Sequence, residues 1–297
     1  MKNKFSKIAL SSTSQDEKVI SIARQIFEIL SNVEVETLYD DNLSVLEELT
    51  GLKSLSTKAI VEKADLLIAI GGDGTMLNCS KKYGSKGIPV LGINLGKLGF
   101  LTDIAPEEIT TKLIEVIKGN FVEDKRFFLE ASLQNQNQNQ NENLIALNEI
   151  VIHSGAIAQL IEFNLFINDH FVYRQKADGL IINSPTGSTA YSLSGGGPIV
   201  HPGVDAITLL LMFPQSLSTS SLLVRADSSI RIELTNPQLS AQVSFDSHDS
   251  LTVKGIQEIN ISKSTSVLNL IHPLDHDFFG GCRNKLGWSS GPIGPLE

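Results

Sequence analysis

The chain has little cysteine, since only Cys79 and Cys282 occur among its 297 residues. Two cysteines cannot form the dense disulfide framework that stabilises many small secreted domains. A protein without such a framework fits the reducing environment of the cytosol. The cysteine content therefore excludes the disulfide-rich secreted class and favours a cytoplasmic protein.

Long hydrophobic runs are also missing. No window approaches the about 18 uninterrupted apolar residues of a membrane-spanning helix. The amino terminus, Met1–Phe5, is basic, but the short apolar run Ile8–Leu10 is followed at once by polar residues. Because a signal peptide needs a longer apolar core, none is predicted. We therefore expect a cytoplasmic location and no membrane partner.

Basic residues are outnumbered by acidic ones. The chain has 24 Lys and Arg against 33 Asp and Glu, which gives a formal net charge of −9. A general nucleic-acid-binding protein needs a basic face, so no nucleic-acid partner is expected. With 41% hydrophobic and 19% charged residues, the composition is that of an ordinary globular protein. Its length accommodates two domains.

Strands and helices are predicted to alternate in the first part of the chain. Ser14 and Glu17 have the spacing of a capping box, and the apolar residues after them recur at helical intervals. Pro106 begins a further helix. Apolar runs typical of buried strands occur at residues 8–10, 66–70 and 88–93. Residues 1–123 are therefore predicted to form a doubly wound, Rossmann-like α/β domain.

The pattern then changes from helical to alternating periodicity. Residues 134–141 alternate Gln and Asn, and this polar stretch is interpreted as a mobile hairpin tip. Strict alternation over Ile161–Ile167 predicts a half-buried strand, which Asn168-Asp169 turns back. Short strands and dense turn signals predict an all-β sandwich over residues 124–266. Residues 267–297 are predicted to be a tail that packs back on the α/β domain.

A glycine-rich turn, Gly71-Gly72-Asp73-Gly74, follows the predicted strand at residues 66–70. Such a turn lets backbone N–H groups approach phosphate oxygens, because glycine has no Cβ in the way. Asp73 is unfavourable beside phosphates unless it accepts a proton or holds a metal. The alternative is a plain tight turn in which Asp73 caps a helix.

A second distinctive segment, residues 178–198, packs hydroxyls and small residues behind an apolar strand. Hydroxyl groups near a helix start can bind phosphate, ribose or an adenine edge, and Tyr191 offers a stacking face. Taken alone, the segment could also be an ordinary Ser/Thr-rich loop.

Together these residues resemble the NAD kinase family, whose members phosphorylate NAD with ATP or polyphosphate. The resemblance rests on three motifs in order, Gly71–Thr75, Asn148-Glu149 and Asp178–Tyr191, and the match spans roughly residues 60–288. The segments at residues 95–101, 269–273 and 285–288 resemble the bacterial branch. The resemblance implies an α/β and a β-sandwich domain that meet at the nucleotide site. It also implies a homo-oligomer, dimer or tetramer.

The implied reaction transfers the γ-phosphoryl group of ATP to the 2′-hydroxyl of the adenosine ribose of NAD, giving NADP. Asp73 would be the general base, with Mg²⁺ or another divalent cation offsetting the charge of ATP. The implied phosphate-donor loop comprises Gly71, Gly72, Gly74 and Thr75. The implied NAD-binding residues are Gly74, Phe100, Asn148, Glu149, Lys176, Asp178, Thr186, Thr189, Ala190, Tyr191, Ser192, Leu193, Ser194 and His248.

Several alternatives stay open. Lys176 could be a solvated lysine, and His248 a histidine of a surface turn. Where the family has Pro-His-Thr-Leu-Ser-x-Arg-Pro, this chain has Pro214–Ser221 without the histidine, the arginine or the second proline. That departure puts donor handling or subunit contacts in doubt. It is also the one feature that favours a non-catalytic NAD(P)-binding sensor.

A second alternative function is that of a lipid or other small-alcohol kinase. Such kinases share the glycine turn, but their activity does not account for Asn148-Glu149. The remaining histidines show no metal-ligand spacing, so no protein-coordinated metal site is expected. These histidines are His153, His170, His201, His272 and His276.

Overall fold

The computed structural model describes residues 3–96, 99–133, 144–155, 159–216, 220–236, 240–247, 249–254 and 258–288. Its strands are β1 Lys7–Ser11, β2 Glu36–Tyr39, β3 Leu66–Ile70, β4 Val90–Ile93, β5 Val122–Leu133, β6 Ile145–Ala146, β7 Glu149–His153, β8 Ile161–Ile167, β9 His170–Ala177, β10 Gly179–Asn183, β11 Ala206–Met212, β12 Leu222–Arg225, β13 Ile230–Leu234, β14 Ser240–Phe245, β15 Asp249–Lys254 and β16 Glu258–His272.

Its α-helices are α1 Glu17–Asn32, α2 Glu47–Thr50, α3 Thr57–Lys63, α4 Asp73–Lys82, α5 Ile109–Ile117, α6 Tyr191–Ser194 and α7 Phe278–Leu286. Short 3₁₀ helices lie at Asp41–Leu46, Gly84–Lys86, Pro106–Glu108 and Thr186–Thr189. Across the described residues, no helix combines the length and the hydropathy that a membrane crossing needs.

The first compact unit combines the residues up to Lys125 with those from Val267 onward. Its sheet has the strand order β2-β1-β3-β4-β16, and each neighbouring pair is parallel. The chain leaves β1 to one side to form β2 and crosses to the other side to form β3. Open parallel sheets bind ligands at the carboxyl ends of the strands that flank such a reversal.

Helix α1 packs one apolar face into the core of this unit, as its periodicity predicts. The predicted capping box of Ser14 and Glu17, however, is wrong. Asp16 is the N-cap, and its carboxylate accepts a hydrogen bond from the Val19 N–H at 3.0 Å. Ser14 Oγ donates to Asp16 at 2.8 Å instead of capping the helix itself. The shift arises because Asp16 satisfies a first-turn N–H that would otherwise be unpaired. The buried face comprises Val19, Ile22, Ala23, Ile26, Ile29 and Leu30.

The second compact unit, Arg126–Ser266, is built from antiparallel strands. One sheet has the order β12-β11-β10-β7-β14-β15, and a second set pairs the first part of β16 with β13, β8 and β9. Both sets contribute to one buried apolar cluster, which includes Ile150, Leu165 and Val243. Between β8 and β9, Asn168 and Asp169 have φ angles of 50° and 63°. Two such angles are what a tight two-residue hairpin requires.

The predicted fold class is confirmed, because a parallel α/β part precedes a β-rich part. The strand predicted at residues 66–70 and the helix predicted after Pro106 are both present. Some sequence predictions fall outside the described residues. These are the Gln/Asn tract at residues 134–141, Lys97-Leu98 of the bacterial-type segment, residues 217–219 of the atypical segment, and His248.

Candidate active site

The glycine turn lies where the parallel sheet reverses its strand order. It follows β3, and the segment after β1 contacts it directly. Ser12 Oγ donates to the carbonyl of Ile70 at 2.8 Å, and the hydroxyls of Thr13 and Thr75 lie 2.7 Å apart. Thr75 is buried. Its hydroxyl therefore joins the two strand ends, in addition to any role toward a phosphate donor.

Asp73, the first residue of α4, is held in a fixed direction. One carboxylate oxygen accepts from the Phe100 N–H at 2.9 Å, and the other accepts from the Leu101 N–H at 3.0 Å. Lys285 Nζ lies 3.3 Å from the first of these oxygens and 4.4 Å from the centre of the Phe100 ring. The Asp73 side chain is still 36% exposed. An oriented anionic group is thus accessible from outside the protein.

Gly99 allows this arrangement. A Cβ atom at Gly99 would overlap the Oδ1 atom of Asp73 and the hydroxyl of Thr102. The Thr102 hydroxyl in turn accepts from the Gly99 N–H at 3.0 Å. The backbone that holds the carboxylate can therefore approach it only because residue 99 has no side chain.

Replacing Gly99 with alanine is expected to destabilise the protein by about 1–3 kcal/mol through overpacking, and to misdirect the Asp73 carboxylate. Gly96, in the same segment, is the matched control, since a Cβ there meets no atom within 4 Å in the part of the chain that the structure describes. The stability measured by urea denaturation, and any activity that depends on the Asp73 carboxylate, should be impaired in Gly99→Ala and nearly unchanged in Gly96→Ala. Equal behaviour of the two variants would contradict the close approach.

Two other glycines of the turn face open space. A Cβ at Gly72 or at Gly74 would meet no atom of the described residues within 4 Å. Gly71 differs, because a Cβ there would overlap the side chain of Thr75. Gly71 therefore serves packing within the protein, whereas Gly72 and Gly74 leave room for something outside it. That room lies at the amino terminus of α4, where the helix dipole favours a negatively charged ligand.

A cavity of about 280 Å³ opens beside Asp73 within the first unit. Phe100 and Lys285, which contact Asp73 or its amide partners, line one part of it. Asp103, Lys112 and His276 line another part. The cavity combines both signs of charge with an aromatic face, as a small-ligand site commonly does.

In the second unit, Asp246 holds the segment Leu147–Glu149 in place. Its two carboxylate oxygens accept hydrogen bonds from the N–H groups of three successive residues. The distances are 2.8 Å from Leu147, 2.7 Å from Asn148 and 3.2 Å from Glu149. Asp246 is 3% exposed. It fixes the backbone from which the Asn148 and Glu149 side chains project.

The hydroxyl-rich segment closes on the same backbone. Ser184 N–H donates to the carbonyl of Asn148 at 2.9 Å, and a Cβ at Gly187 would overlap that carbonyl. The buried Arg126 donates from Nη1 to the Thr186 hydroxyl at 3.1 Å. Two sequence motifs far apart in the chain, Asn148-Glu149 and Pro185–Tyr191, thus form one polar region in the second unit.

Glu149 is a buried carboxyl in this region, with 3% of its surface exposed. Burial, together with the nearby negative charge of Asp246, raises the pKa of Glu149 to about 8. Its Oε2 atom has no hydrogen-bond partner among the described residues. At neutral pH the group is therefore mainly a neutral carboxyl, which can donate as well as accept a hydrogen bond.

This pKa predicts how stability depends on pH. Between about pH 4.5, the reference value, and about pH 8 the folded protein binds more protons at Glu149 than the unfolded chain does. Stability should therefore fall as pH rises through this window, by an amount on the order of a few kcal/mol. Glutamine does not titrate, so Glu149→Gln should remove this loss of stability. The variant should be as stable as the parent protein at pH 5 and more stable than the parent protein at pH 9. Urea denaturation at the two pH values checks this prediction, and Glu123→Gln, at an exposed position, is the control. The same change in the free energy of unfolding between pH 5 and pH 9 in all three proteins would contradict it.

The other predicted NAD-binding residues lie in varied surroundings. Exposed Lys176 pairs with Glu162 at 3.4 Å, so its positive charge has a partner within the protein. Ser192 is buried, and its hydroxyl has no partner among the described residues. Tyr191 is 43% exposed, as a stacking surface would be. Thr189, Ala190, Leu193 and Asp178 are half-buried and Ser194 is exposed.

Sequence reasoning assigned no role to four residues that shape these surroundings, namely Gly99, Arg126, Asp246 and Lys285. Gly99 and Lys285 lie in segments that resemble the bacterial branch, so their positions could have been singled out. Arg126 and Asp246 could not have been, since each acts through contacts more than fifty residues away in the chain.

The structure also brings together two of the histidines for which no metal-ligand spacing was recognised. His272 ends β16, and its ring stacks on that of His276 with 3.9 Å between the centroids. Both Nδ1 atoms hydrogen bond to Asp103. Burial alone would raise the pKa of Asp103, but these two hydrogen bonds outweigh it and hold that pKa well below its usual range. Burial alone would lower the pKa of His272, but Asp103 and Asp124 outweigh it and raise that pKa.

Comparison with known protein families identifies both parts of the chain. Residues 8–121 match the ATP-NAD kinase N-terminal domain, and residues 147–273 match the ATP-NAD kinase C-terminal domain. The NAD kinase of Saccharophagus degradans is 40% identical over 289 residues, covering 97% of this chain and 98% of that protein. The NAD kinase of Teredinibacter turnerae is 41% identical over 268 residues, covering 90% and 91%.

Two solved structures of kinases that act on NADH or NAD are also similar to this chain. A crystal structure of yeast NADH kinase complexed with NADH has a TM-score of 0.86 at 29% identity, and the match covers 96% of this chain and 88% of that one. A crystal structure of an NAD kinase from Archaeoglobus fulgidus in complex with ATP has a TM-score of 0.71 at 26% identity, covering 95% and 97%.

Proposed function

The chain belongs to the NAD kinase family and is a transferase that phosphorylates NAD, and from this premise we propose how it does so. ATP donates its γ-phosphoryl group, the 2′-hydroxyl of the adenosine ribose accepts it, and Asp73 takes the hydroxyl proton. The observation that carries the proposal is the oriented, partly exposed Asp73 carboxylate in a turn with open space at Gly72 and Gly74.

Asp73 suits the role of general base because its partners orient it without enclosing it. A ribose hydroxyl is a poor nucleophile at neutral pH, so it needs a base within hydrogen-bond distance. The Phe100 and Leu101 amides and the Lys285 ammonium group fix the direction of the carboxylate, and its exposed part leaves access for a ribose hydroxyl. As the proton arrives, Lys285 remains available to offset negative charge on the transferring phosphoryl group.

The donor is proposed to lie against the glycine turn. The space at Gly72 and Gly74 admits phosphate oxygens close to backbone N–H groups. Mg²⁺ enters with ATP as part of the substrate and neutralises charge on its phosphates. The ATP complex of the Archaeoglobus fulgidus protein supports ATP as donor here. Polyphosphate remains the second donor to be tested.

The acceptor is proposed to be held by the polar region of the second unit. Asn148 offers an amide, and the neutral Glu149 carboxyl can both donate to and accept from a ribose diol or an adenine edge. Tyr191 offers a stacking face for a base. The proposed set of NAD-binding residues has further members. They are Phe100, Lys176, Asp178, Thr186, Thr189, Ala190, Ser192, Leu193, Ser194 and His248.

Gly74→Ala separates a ligand effect from a folding effect. Gly74 lies in α4, and among the described residues a Cβ there meets no atom within 4 Å, so alanine should keep or raise stability, by up to about 1 kcal/mol. If ATP phosphates occupy this space, the displaced donor should lower kcat/KM for MgATP by up to about 10²-fold. Thermal unfolding and initial rates at varied MgATP measure the two quantities. An unchanged kcat/KM would show that the donor does not bind beside Gly74.

We further propose a cytoplasmic homo-oligomer, either dimer or tetramer, which analytical ultracentrifugation would resolve. The test of the reaction is a panel of donors and acceptors with the purified protein. MgATP and polyphosphate are each combined with NAD, NADH and a diacylglycerol. NADP from NAD and MgATP is the expected product. Phosphorylated lipid would favour the lipid-kinase rival, and NAD binding without any transfer would favour the sensor.

A further inference from the structure

Asp103, His272 and His276 place one carboxylate and two imidazoles around a common point. Their ligand atoms all lie within 4.8 Å of one another. His276 Nδ1 lies 3.0 Å from one Asp103 oxygen, and His272 Nδ1 contacts the other. Two imidazole nitrogens with one carboxylate oxygen are a donor set typical of first-row transition ions, whereas Mg²⁺ prefers oxygen donors alone.

His272 is oriented in the way that a metal-binding histidine commonly is. It is 1% exposed, and its second ring nitrogen, Nε2, has no hydrogen-bond partner among the described residues. That nitrogen faces Asp124 Oδ2 at 3.7 Å. In many metal sites the ligating histidine directs its other nitrogen toward a carboxylate, which fixes the ring and strengthens the ligand. Asp124 is placed to do this while Nδ1 points toward Asp103.

The site is accessible from outside. Asp103 and His276 line the cavity of about 280 Å³ that also contains Lys285 and Phe100. The His276 side chain is 18% exposed, so part of it can be reached by an ion in the cavity. The cavity provides the entry path and room for water molecules as additional ligands.

We propose that Asp103, His272 and His276 form a binding site for a divalent transition ion of the Zn²⁺ class. An ion there would connect two segments that contact Asp73. Asp103 follows Leu101, whose amide holds the Asp73 carboxylate, and His276 precedes the helix that carries Lys285. The bound ion stabilises the first unit and is separate from the Mg²⁺ that enters with ATP.

The test measures binding directly, in the full-length, untagged protein after dialysis against a chelator. Co²⁺ is titrated in excess Mg²⁺ and followed by its visible d–d absorption, and Zn²⁺ is then added in competition. The expected result is one Co²⁺ per chain, displaced by Zn²⁺, with a rise in thermal unfolding temperature. His276→Gln should weaken binding by about tenfold or more, and Asp124→Asn by about 10–100-fold. The exposed His170→Gln is the matched control and should bind as the parent protein does.

Two results would overturn the proposal. One is the absence of a Co²⁺ spectrum and of any thermal shift with Zn²⁺, which would leave the cluster as an ion pair only. The other is equal binding by His276→Gln and His170→Gln, which would place the ion elsewhere. His276 is the decisive position, since Asp103→Asn could unfold the protein. Because no readout requires phosphoryl transfer, failure here is distinguishable from failure of the proposed kinase mechanism.

Discussion

Replacing Asp73 with asparagine is expected to lower kcat for NADP formation by about 10²–10⁴-fold, the usual contribution of a positioned general base. Asparagine keeps the shape of the side chain but cannot accept the ribose proton. The carboxylate accepts hydrogen bonds from both the Phe100 and the Leu101 N–H. In asparagine the NH₂ group would face one of these two N–H groups, so one of the two hydrogen bonds would be lost. The kcat should therefore fall far more than the KM for NAD rises.

Initial rates at varied NAD and MgATP separate these effects, and thermal unfolding detects any loss of folded protein. Asp41→Asn is the matched control, because Asp41 is an exposed aspartate of the same unit. A folded Asp73→Asn protein with at least a tenth of the parent kcat would show that Asp73 is not the base. The carboxylate would then have a structural role, joining the glycine turn to the Phe100 and Leu101 backbone.

Asp246→Asn is expected to have the largest effect on stability, about 3 kcal/mol or more. Asp246 accepts from three buried N–H groups, and hydrogen bonds from buried donors to a charged acceptor are among the stronger ones. An amide has a single accepting oxygen, so at least one donor loses its partner or faces the new NH₂ group. The KM for NAD should rise as well, because the same bonds position Asn148 and Glu149.

Urea denaturation and NAD titration together check this prediction, with the exposed Asp249→Asn as control. Removing the Asp246 charge should also lower the pKa of Glu149, since that charge is one of the two causes that raise it. The decline of stability with pH should then end at a lower pH than in the parent protein. A variant as stable as the control at neutral pH would contradict the assigned role of Asp246.

Much of the fold follows from periodicity in the sequence. Helix α5 was predicted from the start signal at Pro106, and the apolar residues that recur at helical spacing along it are buried. By contrast, α3 has only Ile60 buried, so it carries no apolar stripe that a periodicity argument could detect. The start of α1 was misassigned because three capping residues stand within four positions, and only tertiary structure selects Asp16.

The candidate site was predictable to the extent that its chemistry is local in sequence. The glycines and Asp73 are adjacent in sequence, so the turn alone indicates a close approach to a ligand. The residues that hold Asp73 are not adjacent: Phe100 lies 27 positions and Lys285 lies 212 positions away. Likewise, His272 meets Asp103 across 169 positions. Such pairs have no spacing signature, because only the packing of the parallel sheet and the tail brings them together.

The most direct test of the account is the identity of the product formed from NAD and MgATP. The purified protein is incubated with both, total phosphorylated dinucleotide is measured by ³¹P NMR, and 2′-phosphorylated NADP is measured with an NADP-specific dehydrogenase. The account predicts one NADP for each ADP released, with all of the new phosphate at the 2′ position. ADP release without NADP, or a phosphorylated dinucleotide that the dehydrogenase rejects, would contradict it.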